Sequence, residues 1–284
     1  MPTTAPAATG GRLCSHRPGT AVDMSASELA LVTGASSGIG RALASVLVGH
    51  GYDVVVTADD EALHECVAEL RESGREVVAV QADLATAGGV EELWRAVRAT
   101  GRPLAVAALN AGMGVPGRFA DTPLEDHLRL VDLNVRSTVH LAKLVVDQMT
   151  SRGEGRILVT ASLVAVAPTP YQSTYGASKA FVHSFVEGIR HELRGTGVTV
   201  TSLMPGPTDT RFFQRADMED APVARGPKDD PMVVARDGFA AMMKGRAHVR
   251  AGSVLNGVMT EAARVLPDRI TSVAMGMANR RKRD

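Results

Sequence analysis

The chain has 284 residues, of which 45 % are hydrophobic and only 4 % aromatic, and its 31 basic side chains balance 31 acidic ones. This balance gives no overall field that would attract nucleic acid or anionic lipid. Two cysteines without a Cys or His at metal-ligand spacing indicate neither a disulfide framework nor a metal site. Because no apolar run has the roughly 20 residues that a bilayer-spanning helix needs, we expect a cytoplasmic protein without stable membrane insertion and with a small-molecule partner.

The N-terminal segment, residues 1–27, is rich in Ala, Thr, Pro and Gly and lacks the apolar core of a signal peptide. We predict that it forms a flexible tail outside the folded domain.

Six short apolar runs then alternate with helical patterns. The predicted strands are 29–33, 53–57, 76–81, 104–109, 156–162 and 198–205, and the clearest predicted helices are 39–48, 124–150 and 232–245. Near-continuous apolar strands that alternate with helices indicate a parallel sheet covered on both faces. With right-handed crossovers, the pattern predicts an α/β, doubly wound Rossmann-type fold, a single domain over 28–260 with about seven strands.

Two segments depart from this alternation. Residues 208–231 are polar, carry three prolines and show no sustained period. Since loops of such length are commonly functional or disordered, we predict a partly helical substrate lid. Residues 261–284 are predicted to form a C-terminal helical extension with a basic tail, RRKR, which we interpret as a solvated run rather than a membrane or targeting signal.

The stretch TGASSGIG, residues 33–40, ends the first strand and opens the first helix. Gly34 permits a sharp turn, Gly38 lets the backbone approach a pyrophosphate, and Gly40 allows close packing of helix on strand. The helix N-terminus favours negative charge. An ordinary strand-to-helix turn is the alternative, but the position at the first βα junction favours dinucleotide binding.

TGASSGIG resembles the Thr-Gly-x-x-x-Gly-x-Gly fingerprint of the short-chain dehydrogenase/reductase family. The resemblance implies that Asp83 meets the adenine ring and that Asn110, Ala111 and Gly112 line the cofactor, although the family's usual doubled Asn is Leu109-Asn110 here. It also extends to Pro-Gly and Thr after the sixth strand. The further cofactor-binding residues predicted are Ser36, Ser37, Ile39, Leu84, Pro205, Gly206, Thr208 and Thr210.

The choice between NAD and NADP rests on the end of the second strand, which reads VVVTADDE. A carboxylate there accepts hydrogen bonds from a ribose diol and repels a 2′-phosphate. Asp59 and Asp60 therefore favour NAD(H), and no basic residue interrupts TGASSGIG; strict use of NADP(H) is the alternative. The other interpretation of Asp59 is a charge that complements a helix dipole.

Tyr175 and Lys179 are four residues apart, so on a helix they share one face. A phenol has a pKa of about 10. An adjacent ammonium, helped by the positive nicotinamide of an oxidised cofactor, should lower that pKa and make Tyr175 a proton carrier. A surface Tyr and Lys is the alternative. Ser162, predicted at the end of the fifth strand, could donate a hydrogen bond to a substrate carbonyl.

Together with Asn134 in the sequence LNV, these residues resemble the catalytic set of the same family. The resemblance implies hydride transfer between nicotinamide C4 and a substrate carbon, with Tyr175 exchanging the proton of the alcohol. Lys179 would also bind the nicotinamide ribose, Ser162 would hold the carbonyl, and Asn134 would maintain a proton relay. It also implies a homo-oligomer formed through the helices that contain Asn134 and Tyr175.

The sequence thus predicts an NAD(P)-dependent oxidoreductase that interconverts a secondary alcohol and a ketone; a non-catalytic dinucleotide-binding sensor or scaffold is the alternative. The residues flanking the predicted crevice are mostly apolar, which favours a lipid-like, steroid or acyl substrate. They are Met113, Val115, Leu163, Val164, Tyr171, Met204, Phe212 and Phe213.

Overall fold

The computed structural model describes Met1, residues 27–253, residues 266–282 and Asp284. The predicted N-terminal tail, apart from its first and last residues, lies outside the described residues, as do 254–265 and Arg283. The domain boundaries at 28–260 and 261–284 therefore stay predictions.

Seven parallel strands form one sheet in the order β3-β2-β1-β4-β5-β6-β7. The strands are β1 Leu29–Thr33, β2 Asp53–Ala58, β3 Val77–Gln81, β4 Leu104–Leu109, β5 Gly155–Thr160, β6 Val198–Pro205 and β7 His248–Ala251. The predicted doubly wound α/β fold is confirmed. The sequence did not locate β7, because four residues, HVRA, only partly buried, carry too little hydrophobic pattern to stand out.

Helices cover both faces of the sheet, so that two hydrophobic clusters lie on its opposite sides, and a smaller third cluster lies in the segment after β6. In β1, Leu29 and Leu31 pack into one cluster while Ala30 and Val32 pack into the other, because successive strand residues point to opposite faces. The helices are α1 Gly38–Gly49, α2 Ala62–Arg71, α3 Ala87–Ala99, α4 Leu124–Val131, α5 Ser137–Arg152, α6 Ser173–Glu192, α7 Phe212–Arg215, α8 Pro222–Arg225, α9 Pro231–Met243 and α10 Asp268–Asn279.

The helix predicted over 124–150 is interrupted in the structure. A π-helical turn, Asp132–Arg136, separates α4 from α5. Asn134 lies in this turn, and its side chain is almost completely buried and bonded to residues outside the helix. Such turns recur at functional sites. The apolar pattern of the sequence did not reveal this turn.

After β6, the segment predicted as a lid, 208–231, holds the two short helices α7 and α8. In the basic run at the C-terminus, Arg280 and Lys282 are exposed, as predicted for a solvated run, and the backbone N–H of Lys282 donates to Asp220 at 2.9 Å. Arg281 is partly buried instead, because it pairs with Asp284 at 2.8 Å. Over the described ranges, no helix combines the length and apolarity that crossing a membrane requires.

Candidate active site

A cavity of about 790 Å³ opens at the carboxyl ends of the strands. The strand order reverses between β1 and β4, and ligands of doubly wound sheets bind at this point. All of the predicted site residues line this cavity except Gly40 and Asn134. Those that line it are Gly34, Ser36, Ser37, Gly38, Ile39, Asp59, Asp83, Leu84, Asn110, Ala111, Gly112, Ser162, Tyr175, Lys179, Pro205, Gly206, Thr208 and Thr210.

The glycine-rich turn has the geometry that its sequence predicts. Gly34 and Gly38 adopt φ angles of +68° and +57°, in the left-handed region that favours glycine. A Cβ on Gly38 would lie 2.7 Å from the Cγ2 atom of Thr210, and one on Gly40 would overlap the carbonyl oxygen of Gly34. The turn therefore leaves its backbone open towards the cavity, at the N-terminus of α1, and fits a pyrophosphate.

Asn110 joins the wall of the cavity to β1 and β5. Its N–H donates to the Thr33 hydroxyl at 2.9 Å, and its side-chain amide donates to the Thr33 carbonyl at 3.2 Å. The Thr160 hydroxyl donates to Asn110 Oδ1 at 3.1 Å. These contacts fix the loop that follows β4, although the first Asn of the usual family pair is absent.

Asn134 acts behind the cavity wall. Its Oδ1 accepts from the Met113 N–H, and its Nδ2 donates to the Met113 carbonyl, each at 2.9 Å. Nδ2 also donates to the Ser178 hydroxyl at 3.0 Å, and that hydroxyl donates to the Tyr175 carbonyl at 2.7 Å. Asn134 thus ties the Gly112–Gly114 loop to α6. Its predicted part in a proton relay stays a prediction.

Tyr175 and Lys179 lie on one face of α6, as their spacing predicts. Lys179 Nζ is 5.9 Å from the centre of the Tyr175 ring and donates to the Thr160 carbonyl at 2.9 Å. A Cβ at Gly176 would overlap the Thr169 side chain, so glycine is what lets α6 pack closely there. Lys179 is buried and Tyr175 is partly buried in the cavity wall, so the alternative of a surface Tyr and Lys is wrong.

Burial controls the ionisation of both residues. It raises the pKa of Tyr175 to about 12, although the hydrogen bond with Ser162 acts in the opposite direction. Burial also lowers the pKa of Lys179 to about 8. Burial is the main cause of both shifts, and the predicted lowering of the Tyr175 pKa by Lys179 together with an oxidised nicotinamide stays a prediction.

The far end of the cavity carries charged residues from several elements. Arg129 of α4 donates to Asp83 at 3.0 Å and lies 3.9 Å from Asp59. Burial opposes the ionisation of Asp83, but hydrogen bonds from Arg129 and from a backbone N–H outweigh it and lower its pKa. Asp60 does not line the cavity; it pairs with Arg215 of α7 and accepts from Ser36 at 3.2 Å. Sequence analysis missed both arginines, because only the fold brings them to the strand ends.

The opposite end of the cavity is mostly apolar. Of the eight predicted residues, Met113, Leu163, Val164, Phe212 and Phe213 line it, whereas Val115, Tyr171 and Met204 do not. Val115 and Met204 are buried in the core instead, and Tyr171 adopts a left-handed φ of 64° with its carbonyl bonded to Gly117 N–H. The sequence did not reveal the wall that α10 contributes together with Leu266, two residues before the helix. The residues of α10 in this wall are Ile270, Thr271, Ala274, Met275, Ala278 and Asn279.

None of the histidines in the described ranges lines this cavity. His183 Nδ1 lies 3.2 Å from the Ser202 hydroxyl, a contact between α6 and β6. Within the described portion of the chain, no group of three or more His, Cys, Asp or Glu side chains could hold a metal ion.

A dinucleotide turn and a Tyr-Lys pair in the wall of one cavity are typical of nicotinamide-dependent dehydrogenases. Comparison with known proteins identifies the family: the model of the short chain dehydrogenases matches residues 28–221, and the chain belongs to this family. The protein is therefore an NAD(P)-dependent oxidoreductase, and the prediction of an enzyme is confirmed.

Solved structures of the family resemble this one closely. A short-chain dehydrogenase from Sphingobium yanoikuyae in complex with NADPH is 31 % identical, with a TM-score of 0.73 over 78 % of this chain and 87 % of the other. One from Burkholderia phymatum in complex with NAD is 27 % identical, with a TM-score of 0.73 over 79 % and 88 %. A bulky-bulky ketone specific alcohol dehydrogenase from Comamonas testosteroni is 26 % identical, with a TM-score of 0.71 over 84 % and 92 %.

Proposed function

We propose that the protein interconverts a secondary alcohol and a ketone on an apolar substrate. The observation that carries this proposal is that Ser162, Tyr175 and Lys179 line one cavity with the glycine turn of TGASSGIG. The bound cofactor would supply or accept the hydride, and Gly34, Gly38 and the backbone between them would hold its pyrophosphate at the N-terminus of α1.

The protein's own residues handle the proton and the substrate oxygen. Tyr175 gives its phenolic proton to the oxygen during reduction and takes it back during oxidation. Ser162 donates a hydrogen bond to the same oxygen and orients it. Lys179, held by the Thr160 carbonyl, stabilises the phenolate when it is charged, and Asn134 keeps the neighbouring loop in register.

An apolar substrate is supported by the surface beside Tyr175. Phe212 packs against the Tyr175 ring at 5.3 Å between centroids, and α10 adds Ile270, Ala274 and Met275 to the cavity wall. The ketone specificity named for the Comamonas testosteroni relative agrees with a bulky, apolar carbonyl compound. Against the apolar side chains of this wall, the hydroxyl groups of a polyol would lack partners.

The cofactor preference that we propose is NAD(H) over NADP(H). Asp59 lines the cavity at the end of β2, where its carboxylate can accept from the hydroxyls of the adenosine ribose. Relatives bind either cofactor, since one of the two similar structures holds NADPH and the other NAD.

We also propose a homo-oligomer formed through the α4, α5 and α6 surfaces. These helices expose large apolar side chains, which a lone protomer would leave in contact with water. They are Leu124, Leu128 and Val131 of α4, Val139 of α5 and Phe181 of α6.

The test is a substrate screen that follows nicotinamide absorbance with both cofactors in both directions. We expect turnover of apolar secondary alcohols and ketones, and weaker turnover of polyols. Turnover of polyols alone would contradict the apolar substrate. Cofactor binding without turnover of any compound would instead favour the non-catalytic sensor.

A further inference from the structure

One of the charged residues at the far end of the cavity belongs to the segment between β6 and α9. Arg215, the last residue of α7, lines the cavity together with Ser36, Ser37 and Asp59. We propose that Arg215 binds the 2′-phosphate of the adenosine ribose and thereby lets the protein accept NADP(H) beside NAD(H). This inference rests on the proposed function. It implies that the preference for NAD(H) is partial, so that NADP(H) also binds.

The position of Arg215 matches the place of the adenosine ribose. In doubly wound folds that ribose lies between the first strand-to-helix turn and the end of the second strand. Arg215 Nη2 donates to the Ser36 hydroxyl in the turn at 3.4 Å and pairs with Asp60, which follows β2. A guanidinium at this point can bind a phosphate through its positive charge and charge-assisted hydrogen bonds.

Asp60 pairs with the guanidinium of Arg215 from outside the cavity. Its carboxylate accepts from Ser36 at 3.2 Å as well as from Arg215, and it is not part of the cavity lining. Among the described residues, the side-chain hydrogen bonds of Arg215 all use Nη2, so its Nε–H and its Nη1–H can each donate a single hydrogen bond to a ligand. Because these contacts already hold the Arg215 side chain in place, little further side-chain entropy is lost when a phosphate binds.

The charge balance at this end of the cavity does not exclude a phosphate. Asp59 and Asp83 line it, but so do Arg129 and Arg215. Arg129 lies 3.0 Å from Asp83 and 3.9 Å from Asp59, so it offsets the repulsion that these carboxylates would exert on a 2′-phosphate. In the sequence only the carboxylates are adjacent to β2, and the prediction of NAD(H) therefore rested on them alone.

The experiment compares the binding of two adenosine probes by calorimetry. Adenosine 2′,5′-bisphosphate and adenosine 5′-monophosphate share the adenosine end and lack the nicotinamide, so the comparison does not depend on catalysis. We expect Arg215→Gln to weaken binding of the bisphosphate by about tenfold or more, since hydrogen bonds to charged groups have this strength, and to leave the monophosphate almost unchanged. NADP⁺ and NAD⁺ should show the same contrast.

Arg225→Gln is the matched control, because Arg225 is an exposed arginine of the neighbouring α8 and does not line the cavity. It should leave the affinity for both probes unchanged. Arg215→Lys keeps the positive charge but loses the planar guanidinium with its several donors, so it should bind the bisphosphate with intermediate affinity. Such binding would also show that the site is still folded.

Equal weakening of both probes in Arg215→Gln, or no weakening of either, would overturn the role of Arg215 in 2′-phosphate binding while leaving the proposed function intact. If the wild-type protein binds neither probe and neither dinucleotide, the proposed function fails, and this inference fails with it.

Discussion

Tyr175 and Lys179 share a buried environment in which neither group ionises as it does in water. With pKa values of about 12 and about 8, the protein by itself keeps Tyr175 protonated over the whole neutral range. Tyr175 is therefore ready to donate a proton to a carbonyl oxygen. Oxidation of an alcohol needs the phenolate, which the positive charge of an oxidised nicotinamide favours.

Replacing Tyr175 by Phe removes the proton donor and keeps the ring that packs on Phe212. We expect turnover to fall by about 10²- to 10⁴-fold, the usual contribution of general acid–base catalysis, with unchanged cofactor affinity. Steady-state kinetics and cofactor titration would measure the two effects. Near-wild-type turnover would exclude Tyr175 as the proton carrier.

Replacing Lys179 by Met should separate stability from activity. Because burial lowers its pKa from 10.5 to about 8, charged Lys179 destabilises the folded state below pH 8, and this cost disappears as the pH rises from there to 10.5. Lys179→Met should thus raise the free energy of unfolding at neutral pH by roughly 1–3 kcal/mol, while turnover is lost.

Denaturant unfolding of both proteins across this pH range measures the difference, which should shrink as the solution becomes alkaline. The Thr160 carbonyl loses its hydrogen-bond donor in the variant, which lowers the free energy of unfolding. This loss offsets part of the expected gain in stability. A variant that is less stable than the wild type at neutral pH would show that the hydrogen bond outweighs the desolvation of the charge.

At the scale of elements, α10 closes the cavity on the substrate side and is held by a buried asparagine. Asn279 donates to the Pro170 carbonyl at 3.2 Å and accepts from Gln172 Nε2 at 3.4 Å. These contacts link α10 to the loop just before Tyr175. The helix therefore forms a substrate wall whose position depends on the same loop as the proposed proton carrier.

Asn279→Ala should loosen this wall without touching the cofactor end. We expect a several-fold higher KM for apolar substrates, consistent with the roughly 1–3 kcal/mol that an unsatisfied buried partner costs, and unchanged affinity for NAD(P). Met277→Ala, at a residue of α10 that is 65 % exposed, is the control and should behave as wild type. Equal changes in KM and in cofactor affinity would indicate a general loss of structure instead.

For the whole molecule, the apolar side chains on α4, α5 and α6 are the basis of the proposed oligomer. Leu128→Asp places a charge on a residue that is 52 % exposed in the protomer, so the fold should tolerate it while an apolar interface would not. Light scattering after size-exclusion chromatography should show a fall in molar mass. Val233→Asp, at an exposed apolar position of α9, is the control; an unchanged mass for Leu128→Asp would place the interface elsewhere.

What could be predicted from the sequence was local. The first six strands, the left-handed turn at Gly34 and the shared helix face of Tyr175 and Lys179 depend on the spacing of neighbouring residues. The structure places them as predicted, except that β5 ends at Thr160, two residues before Ser162, which was predicted to end it. By itself the sequence thus determined the doubly wound sheet and the two halves of the candidate site, because backbone periodicity and glycine geometry are properties of a short stretch of chain.

Only the tertiary structure decided what depends on distant partners or on burial. Three features of the site bring together residues far apart in the chain. They are the contact of Asn134 with Met113, the contact of Arg215 with Ser36, and the wall that α10 adds to the cavity. The pKa values of Tyr175 and Lys179 shift through loss of water, which no spacing reveals. Contacts and desolvation arise only when the chain is folded, so cofactor selection and substrate shape belong to the fold rather than to the motifs.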